Sequence, residues 1–125
     1  MSLDAVLKIG GSLSRGDGLE ILCREISRLS GLYPLLVVPG GAEFADHVRE
    51  AYRRFTLGET TAHNMALLAM DQFGYMLHDL IPGSLLSSST SLDIGSATVL
   101  IYSGPVPHYC LEHRRKPLEV LTVDS

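Results

Sequence analysis

A single lysine lies inside a short apolar segment near the start of the chain and is followed by two glycines and a serine. Lys8 belongs to the run VLKI, and the run Gly10-Gly11-Ser12 comes next, before a helical pattern. Glycine lets backbone N–H groups approach an anion closely, a following helix adds a positive dipole end, and the lysine adds a full charge. Because an ammonium group in an apolar strand needs an anionic partner, we expect a phosphate site here. The alternatives are an edge-strand lysine that reaches solvent and glycines that only form a turn.

A second glycine pair follows a second apolar run. The run LLVV is broken by Pro39 and the pair Gly40-Gly41, after which apolar residues return at helical spacing. The ends of parallel strands that precede helices form a common ligand crevice, so the two loops are expected to hold two anionic groups, a donor phosphate and an acceptor. Gly40-Gly41 also suits a tight strand-to-helix turn without any ligand. Glu43 and Asp46 are expected only to interact favourably with the dipole of the next helix.

Other polar residues are weaker candidates for a site. His63 is expected either to contact an anionic or amine substrate or to lie on the surface, and Asp71 either binds a substrate amine or is a solvated carboxylate. The spacing of His108, Cys110 and His113 matches no standard zinc pattern, so we expect no metal site there.

Two stretches, VLKIGGSL and LLVVPGGAEFAD, resemble the amino acid kinase superfamily, which includes acetylglutamate, aspartate, uridylate and isopentenyl phosphate kinases. Within it, PGGAEFADHVREAY and TTAHNMALLAMDQFGYML look most like the archaeal-type aminomethylfuran phosphate kinases of methanofuran synthesis. The resemblance covers about the first eighty residues. It implies a small-molecule kinase that uses ATP and Mg²⁺ to phosphorylate a carboxylate or phosphate acceptor.

The resemblance also implies roles for the glycine loops. Lys8 would neutralise charge on the transferring phosphoryl group, and Gly10-Gly11-Ser12 would donate hydrogen bonds to it. Gly40-Gly41 would receive the acceptor, with His63 and Asp71 as further substrate contacts. The C-terminal sequence LTVDS is similar to the T-S-D-S step at which these kinases carry an aspartate that orients the catalytic lysines. That role would fall to Asp124.

The elements that must position these residues alternate along the chain. Strand-like runs and helical stripes predict an α/β fold, a three-layer αβα sandwich with a mainly parallel sheet, in one domain over residues 1–125. The predicted helices are Asp17–Ser30, with Asp17 as the N-cap, Ala42–Arg54 and Thr60–Leu80. The predicted strands are Val6–Ile9, Leu35–Val38, Ala97–Ser103 and Leu118–Val123. The serine-rich stretch Ser84–Ser91 is predicted as a loop or as a connection that is ordered only by partners.

Composition excludes several classes of protein. The chain is 46% hydrophobic and 19% charged, its net charge is −4, and its basic residues are spread out, so nucleic acid is not an expected partner. No apolar run reaches the length of a membrane span, and no targeting segment is evident, so we expect a cytoplasmic protein. Cys23 and Cys110 do not form a disulfide framework and are expected to be reduced thiols.

Length limits the expected activity. Kinases of this superfamily are longer than 125 residues, and their C-terminal half binds the nucleotide and supplies a second lysine. We therefore expect the N-terminal, acceptor-binding half of the fold, without turnover on its own and associated as a homo-oligomer. The alternative from another class is a non-catalytic anion-binding or dimerisation module.

Overall fold

The computed structural model describes residues 4–87, 97–100 and 120–123. In chain order the elements are β1 (Ala5–Ile9), a 3-10 helix (Gly11–Arg15), α1 (Gly18–Ser30), β2 (Leu35–Pro39), α2 (Ala42–Phe55), α3 (Glu59–Leu80), β3 (Leu85–Ser87), β4 (Thr98–Leu100) and β5 (Val120–Val123). Within these ranges, no helix combines the length and the apolar character that a membrane crossing requires.

The strands form one parallel sheet. Within the described residues, the sheet has five strands in the order β3-β4-β2-β1-β5, and the four pairings between them are parallel. This arrangement confirms the predicted α/β class and the parallel sheet. The strand β1 lies between β2 and β5, with Leu7 opposite both Val37 and Leu121. The first strand of the chain is therefore an interior strand.

One face of the sheet carries the main hydrophobic core. Alternate residues of β1, β2 and β4 point to this face, where α1 and α3 cover them. The largest fully buried side chains of this core are Ile9, Ile26, Val37, Phe73, Leu77, Ile81 and Val99. Among the described residues, the helices that enter the core all lie on this face. The intervening residues Val6, Leu36 and Thr98, which point to the opposite face, are also buried.

The helices α2 and α3 form an antiparallel hairpin that extends beyond the sheet. Ala42 is the one buried residue of α2, and the buried residues of α3 begin at Ala69. The second half of α3 packs on the sheet and leads back to the start of β3. The first half, which rises about 15 Å, stands beside α2 outside the core. The hairpin therefore projects from the edge where β1 and β2 end.

One local prediction was wrong over part of its range, and another was confirmed in position. The stretch predicted as a loop contains β3, a three-residue strand that pairs with β4, and the Leu85 N–H also donates to the Ala97 carbonyl at 2.9 Å. Ser87 fits this strand because long-range pairing with β4 supplies its backbone hydrogen bonds. Residues 88–91 of the predicted loop lie outside the described residues. Asp17 is the N-cap residue of α1, as predicted, but its side chain makes no capping bond, because its backbone is helical (φ −77°, ψ −7°) rather than extended.

Candidate functional site

The two glycine loops lie side by side at one edge of the sheet. Ile9 and Pro39 are in register as the last residues of β1 and β2, and a glycine follows each of them directly. The Gly40 N–H donates to the Ile9 carbonyl at 2.9 Å, so the pairing of the strands continues into the loops. The structure thus brings together the two segments that were expected to form one crevice.

Lys8 lies beneath the first loop and reaches solvent. Its neighbours Leu7 and Ile9 enter the core, so the Lys8 side chain lies on the opposite face of the sheet. On that face Val6 is buried, whereas Lys8 is exposed. Because β1 is an interior strand, the alternative of an edge-strand lysine is wrong. Among the described residues, Lys8 forms no ion pair.

The first loop leads into a short 3-10 helix before α1 begins. Gly10 is extended (φ −75°, ψ 158°), and Gly11 and Ser12 are the first residues of this 3-10 helix. A 3-10 helix of five residues has few aligned peptide dipoles, so it provides a weaker positive end than a full α-helix. Backbone N–H groups rather than a helix dipole are what the first loop offers to an anion.

The second loop leads directly into a full helix. The Gly41 carbonyl accepts a hydrogen bond from the Ala45 N–H at 3.1 Å, which makes Gly41 the first residue to take part in α2. The next N–H groups, those of Ala42, Glu43 and Phe44, have no acceptor within the helix. The amide of Gly40 bonds the Ile9 carbonyl. The donors on this side lie at Gly41 and in the first turn of α2.

Backbone strain accompanies this junction. Ala42 has a positive φ of 53°, a conformation that is unfavourable for a residue with a Cβ atom. Its side chain is only 7% exposed and belongs to the core. Core packing therefore holds the first turn of α2 in a strained conformation next to the glycine pair, where such strain is typical of binding sites.

The candidates on α3 lie at different levels of the hairpin. The helices α2 and α3 run antiparallel, and both rise by the same distance per residue. Since α2 extends from Ala42 to Phe55, the residue of α3 that lies level with Ala42 is about 13 positions after Glu59, near Asp71. Asp71 is 4% exposed, and Phe73 shares the core with Ala42. His63 is exposed and lies about 12 Å earlier along the helix axis. By this helix-rise estimate, Asp71 lies level with the start of α2 and His63 lies about 12 Å away from that level.

An ion network that the sequence did not reveal joins the two loops. The Arg15 Nη2 donates to Asp46 Oδ2, and the Arg49 Nη1 donates to Asp46 Oδ1 at 2.8 Å. Arg15 ends the 3-10 helix and Asp46 lies in α2. The two residues are 31 positions apart, and no local spacing rule could have paired them. Asp46 therefore does more than interact with the helix dipole.

Some expected residues lie outside the described residues. They are Asp124, His108, Cys110 and His113. The strand β5 ends at Val123 opposite Ile9, so it shares the edge of the glycine loops.

The described cysteine has a structural position. Cys23 is a free thiol that is fully buried in α1, as expected for a reduced cysteine. Burial, and secondarily the charge of Glu20, raises the pKa of the Cys23 thiol to about 11. A thiol that ionises so poorly is not a nucleophile at neutral pH.

The chain was compared with known protein families. The model of the amino acid kinase family matches residues 5–119, a range that includes both glycine loops and the helices α1, α2 and α3. No curated protein matches the chain significantly.

Proposed function

The chain belongs to the amino acid kinase family, and on that basis we propose that it forms the acceptor-side phosphate site of a small-molecule kinase. The observation that carries the proposal is the position of Lys8. It is an exposed lysine at the end of an interior strand, directly beneath two paired glycine loops.

Charge and geometry support an anion at this edge. Interior positions of parallel sheets are usually apolar, because both faces of the strand are covered. Lys8 keeps its ammonium group in solvent at the point where β1 ends, and it forms no ion pair among the described residues. The N–H groups at the start of α2 add donors on the other side of the crevice.

A lysine and backbone N–H groups at this edge suit phosphoryl transfer. This reaction depends on positioning the reacting groups and on neutralising their charge, and the protein contributes little covalent chemistry. When bound, Mg²⁺-ATP would supply the phosphoryl group. Lys8 would lie against that group, and the amides of Gly10 and Gly11 would donate hydrogen bonds to its oxygens. No ligand for Mg²⁺ is assigned within the described residues.

The second loop would receive the acceptor. The amides of Gly41 and of the first turn of α2 suit a carboxylate or a phosphate group. Asp71 is the only buried carboxylate among the described residues. By the helix-rise estimate it lies level with the first turn of α2. We therefore extend the proposal to an acceptor that carries an amine as well as an anionic group, which aminomethylfuran phosphate does.

Inorganic phosphate tests the anion site. In a titration followed by amide NMR shifts, we expect the signals of Gly10, Gly11 and Gly41 to move at millimolar phosphate. Lys8→Met should weaken binding by about threefold or more, because it removes a full charge next to the anion. Arg53→Gln, which removes a charge from the far end of α2, is the matched control and should change affinity by less than about twofold. Absence of any shift in a folded chain would contradict the proposal.

An acceptor panel tests the kinase activity. Release of ADP from ATP is measured with glutamate, aspartate, UMP, isopentenyl phosphate or aminomethylfuran phosphate. Acceptor-dependent release that disappears in Lys8→Met would support the kinase and identify the acceptor. Because we expect the acceptor-binding half to show no turnover on its own, phosphate binding without ADP release is the result we expect for this chain, whereas a non-catalytic anion-binding module would bind phosphate but none of the acceptors.

A further inference from the structure

Asp46 accepts hydrogen bonds from two arginines through different oxygens. Arg15 approaches Oδ2 from the 3-10 helix, and Arg49 approaches Oδ1 from the next turn of α2. The carboxylate is therefore held from within its own helix and also joined to another segment. We refer to Arg15, Asp46 and Arg49 as the clasp.

The clasp connects the segments that carry the two glycine loops. The 3-10 helix starts immediately after Gly10 and ends at Arg15, while α2 starts immediately after Gly41. At the base of the loops, the bond from the Gly40 N–H to the Ile9 carbonyl is a first connection. The clasp is a second connection, several residues above the first on both segments.

We propose that Asp46 is a positioning residue that sets the separation of the two glycine loops through Arg15. The proposal rests on the proposed function, because the separation matters only if one crevice holds groups bound to both loops. A 3-10 helix of five residues is short and has poor hydrogen-bond geometry, so its orientation depends on contacts with its neighbours. Arg15 gives this 3-10 helix a polar contact with α2 through Asp46.

The second arginine lets the exposed Arg15–Asp46 ion pair stabilise the contact between the 3-10 helix and α2 more than an isolated exposed ion pair would. The side chains of Arg15 and Asp46 are 61% and 44% exposed, and exposed pairs contribute little when each side chain must be ordered separately. Here Arg49 already orders the Asp46 carboxylate, so less side-chain entropy is lost when Arg15 binds it.

Electrostatics and positioning predict opposite results for Asp46. A carboxylate near an anion site repels the anion, so removing its charge should strengthen anion binding if charge alone acts. If Asp46 holds the loops at the required separation, removing its charge should weaken binding. The sign of the change therefore distinguishes a positioning role from a field effect or from no role.

The experiment measures phosphate affinity by amide NMR in the whole chain. We expect Asp46→Asn and Arg15→Gln each to weaken binding by about two- to fivefold. Arg49→Gln is the matched control, because Arg49 pairs with the same carboxylate without joining the two segments. It should weaken binding less than Arg15→Gln does. The charge swap Arg15→Glu with Asp46→Arg should restore at least part of the affinity. Equal or tighter binding by Asp46→Asn would overturn the proposal.

Hydrogen exchange of the Gly40 amide gives a readout that needs no ligand. We expect this amide, which bonds Ile9 between the loops, to exchange faster in Asp46→Asn and Arg15→Gln than in the wild type. If the wild type binds no phosphate, the proposed function is overturned, and this exchange still decides the clasp. Faster exchange in Asp46→Asn supports the clasp, and unchanged exchange overturns it.

Discussion

Gly41 is required by packing rather than by an unusual backbone conformation. Its φ of −85° is open to any residue, but a Cβ atom built on it would overlap the methyl group of Ala45. The Ala45 methyl group is rigid and cannot move aside. We expect Gly41→Ala to lower the free energy of unfolding by about 1–3 kcal/mol, measured by urea denaturation.

Gly18→Ala is the control for this prediction. Gly18 is the first residue of α1, and a Cβ atom there meets no other atom within 4 Å. This variant should be neutral or slightly stabilising, by up to about 1 kcal/mol. Equal effects of the two substitutions would contradict the packing argument.

The roles of individual residues were only partly predictable from the sequence. The position of Lys8 before two glycines predicted an anion site, which stays a prediction, and the structure shows Lys8 as an exposed residue near the end of β1. The commitment of the Gly40 amide to Ile9 and the overlap at Gly41 could not be predicted, because both depend on atoms brought close by folding. The pairing of Arg15 with Asp46 was hidden for the same reason.

Cys23 makes stability depend on pH in the alkaline range. Burial raises its pKa from 9.0 to about 11, so above pH 9 the unfolded chain loses this proton while the folded chain keeps it. The contribution of the protonated Cys23 thiol to the free energy of unfolding is therefore complete below pH 9 and is lost as the pH rises toward 11. We expect the wild type to lose about 2 kcal/mol more than Cys23→Ala between pH 8 and pH 10.5 in urea denaturation. Parallel pH profiles for the two proteins would contradict this expectation.

At the scale of elements, the turn between α2 and α3 contains avoidable strain. Thr56 ends α2 with a left-handed backbone (φ 50°, ψ 52°), and its N–H donates to the Tyr52 carbonyl. A β-branched residue is unfavourable there, whereas glycine is the usual choice. Because Thr56 is exposed, glycine removes the strain without removing a buried contact. We expect Thr56→Gly to raise the free energy of unfolding by about 1 kcal/mol.

Thr56→Ala separates this strain from side-chain effects. Alanine keeps a Cβ atom and therefore most of the left-handed strain. It should stabilise the hairpin less than glycine does. A glycine variant no more stable than the alanine variant would show that strain at this position is small.

Helices were more predictable than short strands. The apolar stripes of α1, α2 and α3 repeat over many residues, and the predicted ranges correspond closely to Gly18–Ser30, Ala42–Phe55 and Glu59–Leu80. The strand β3 and the 3-10 helix span too few residues for a periodic signal. They depend on pairing with β4 and on contact with α2, which local sequence does not encode.

At the scale of the molecule, the last described strand, β5, pairs with the edge of β1 that β2 does not cover. The strand β5 pairs with β1 in parallel, with Lys8 opposite Thr122, and this pairing makes β1 an interior strand. The alternation of elements predicted a parallel sheet, but it did not predict that the first and the last described strands, β1 and β5, would pair. Strand order depends on contacts between residues that are more than 100 positions apart, so the periodicity of each element gives no information about it.

Removal of β5 should therefore affect both stability and the phosphate site. A chain that ends at Leu118 lacks Val120–Val123 and leaves β1 as an edge strand with unpaired N–H and C=O groups. We expect its free energy of unfolding to fall by roughly 1–3 kcal/mol in urea, because the hydrogen bonds of one ladder are lost. Amides of β1 should exchange faster, and phosphate should bind more weakly at Lys8. A chain that ends at Val123 keeps the strand and should retain the urea midpoint. If both truncated chains unfold at the same urea concentration, β5 does not stabilise β1.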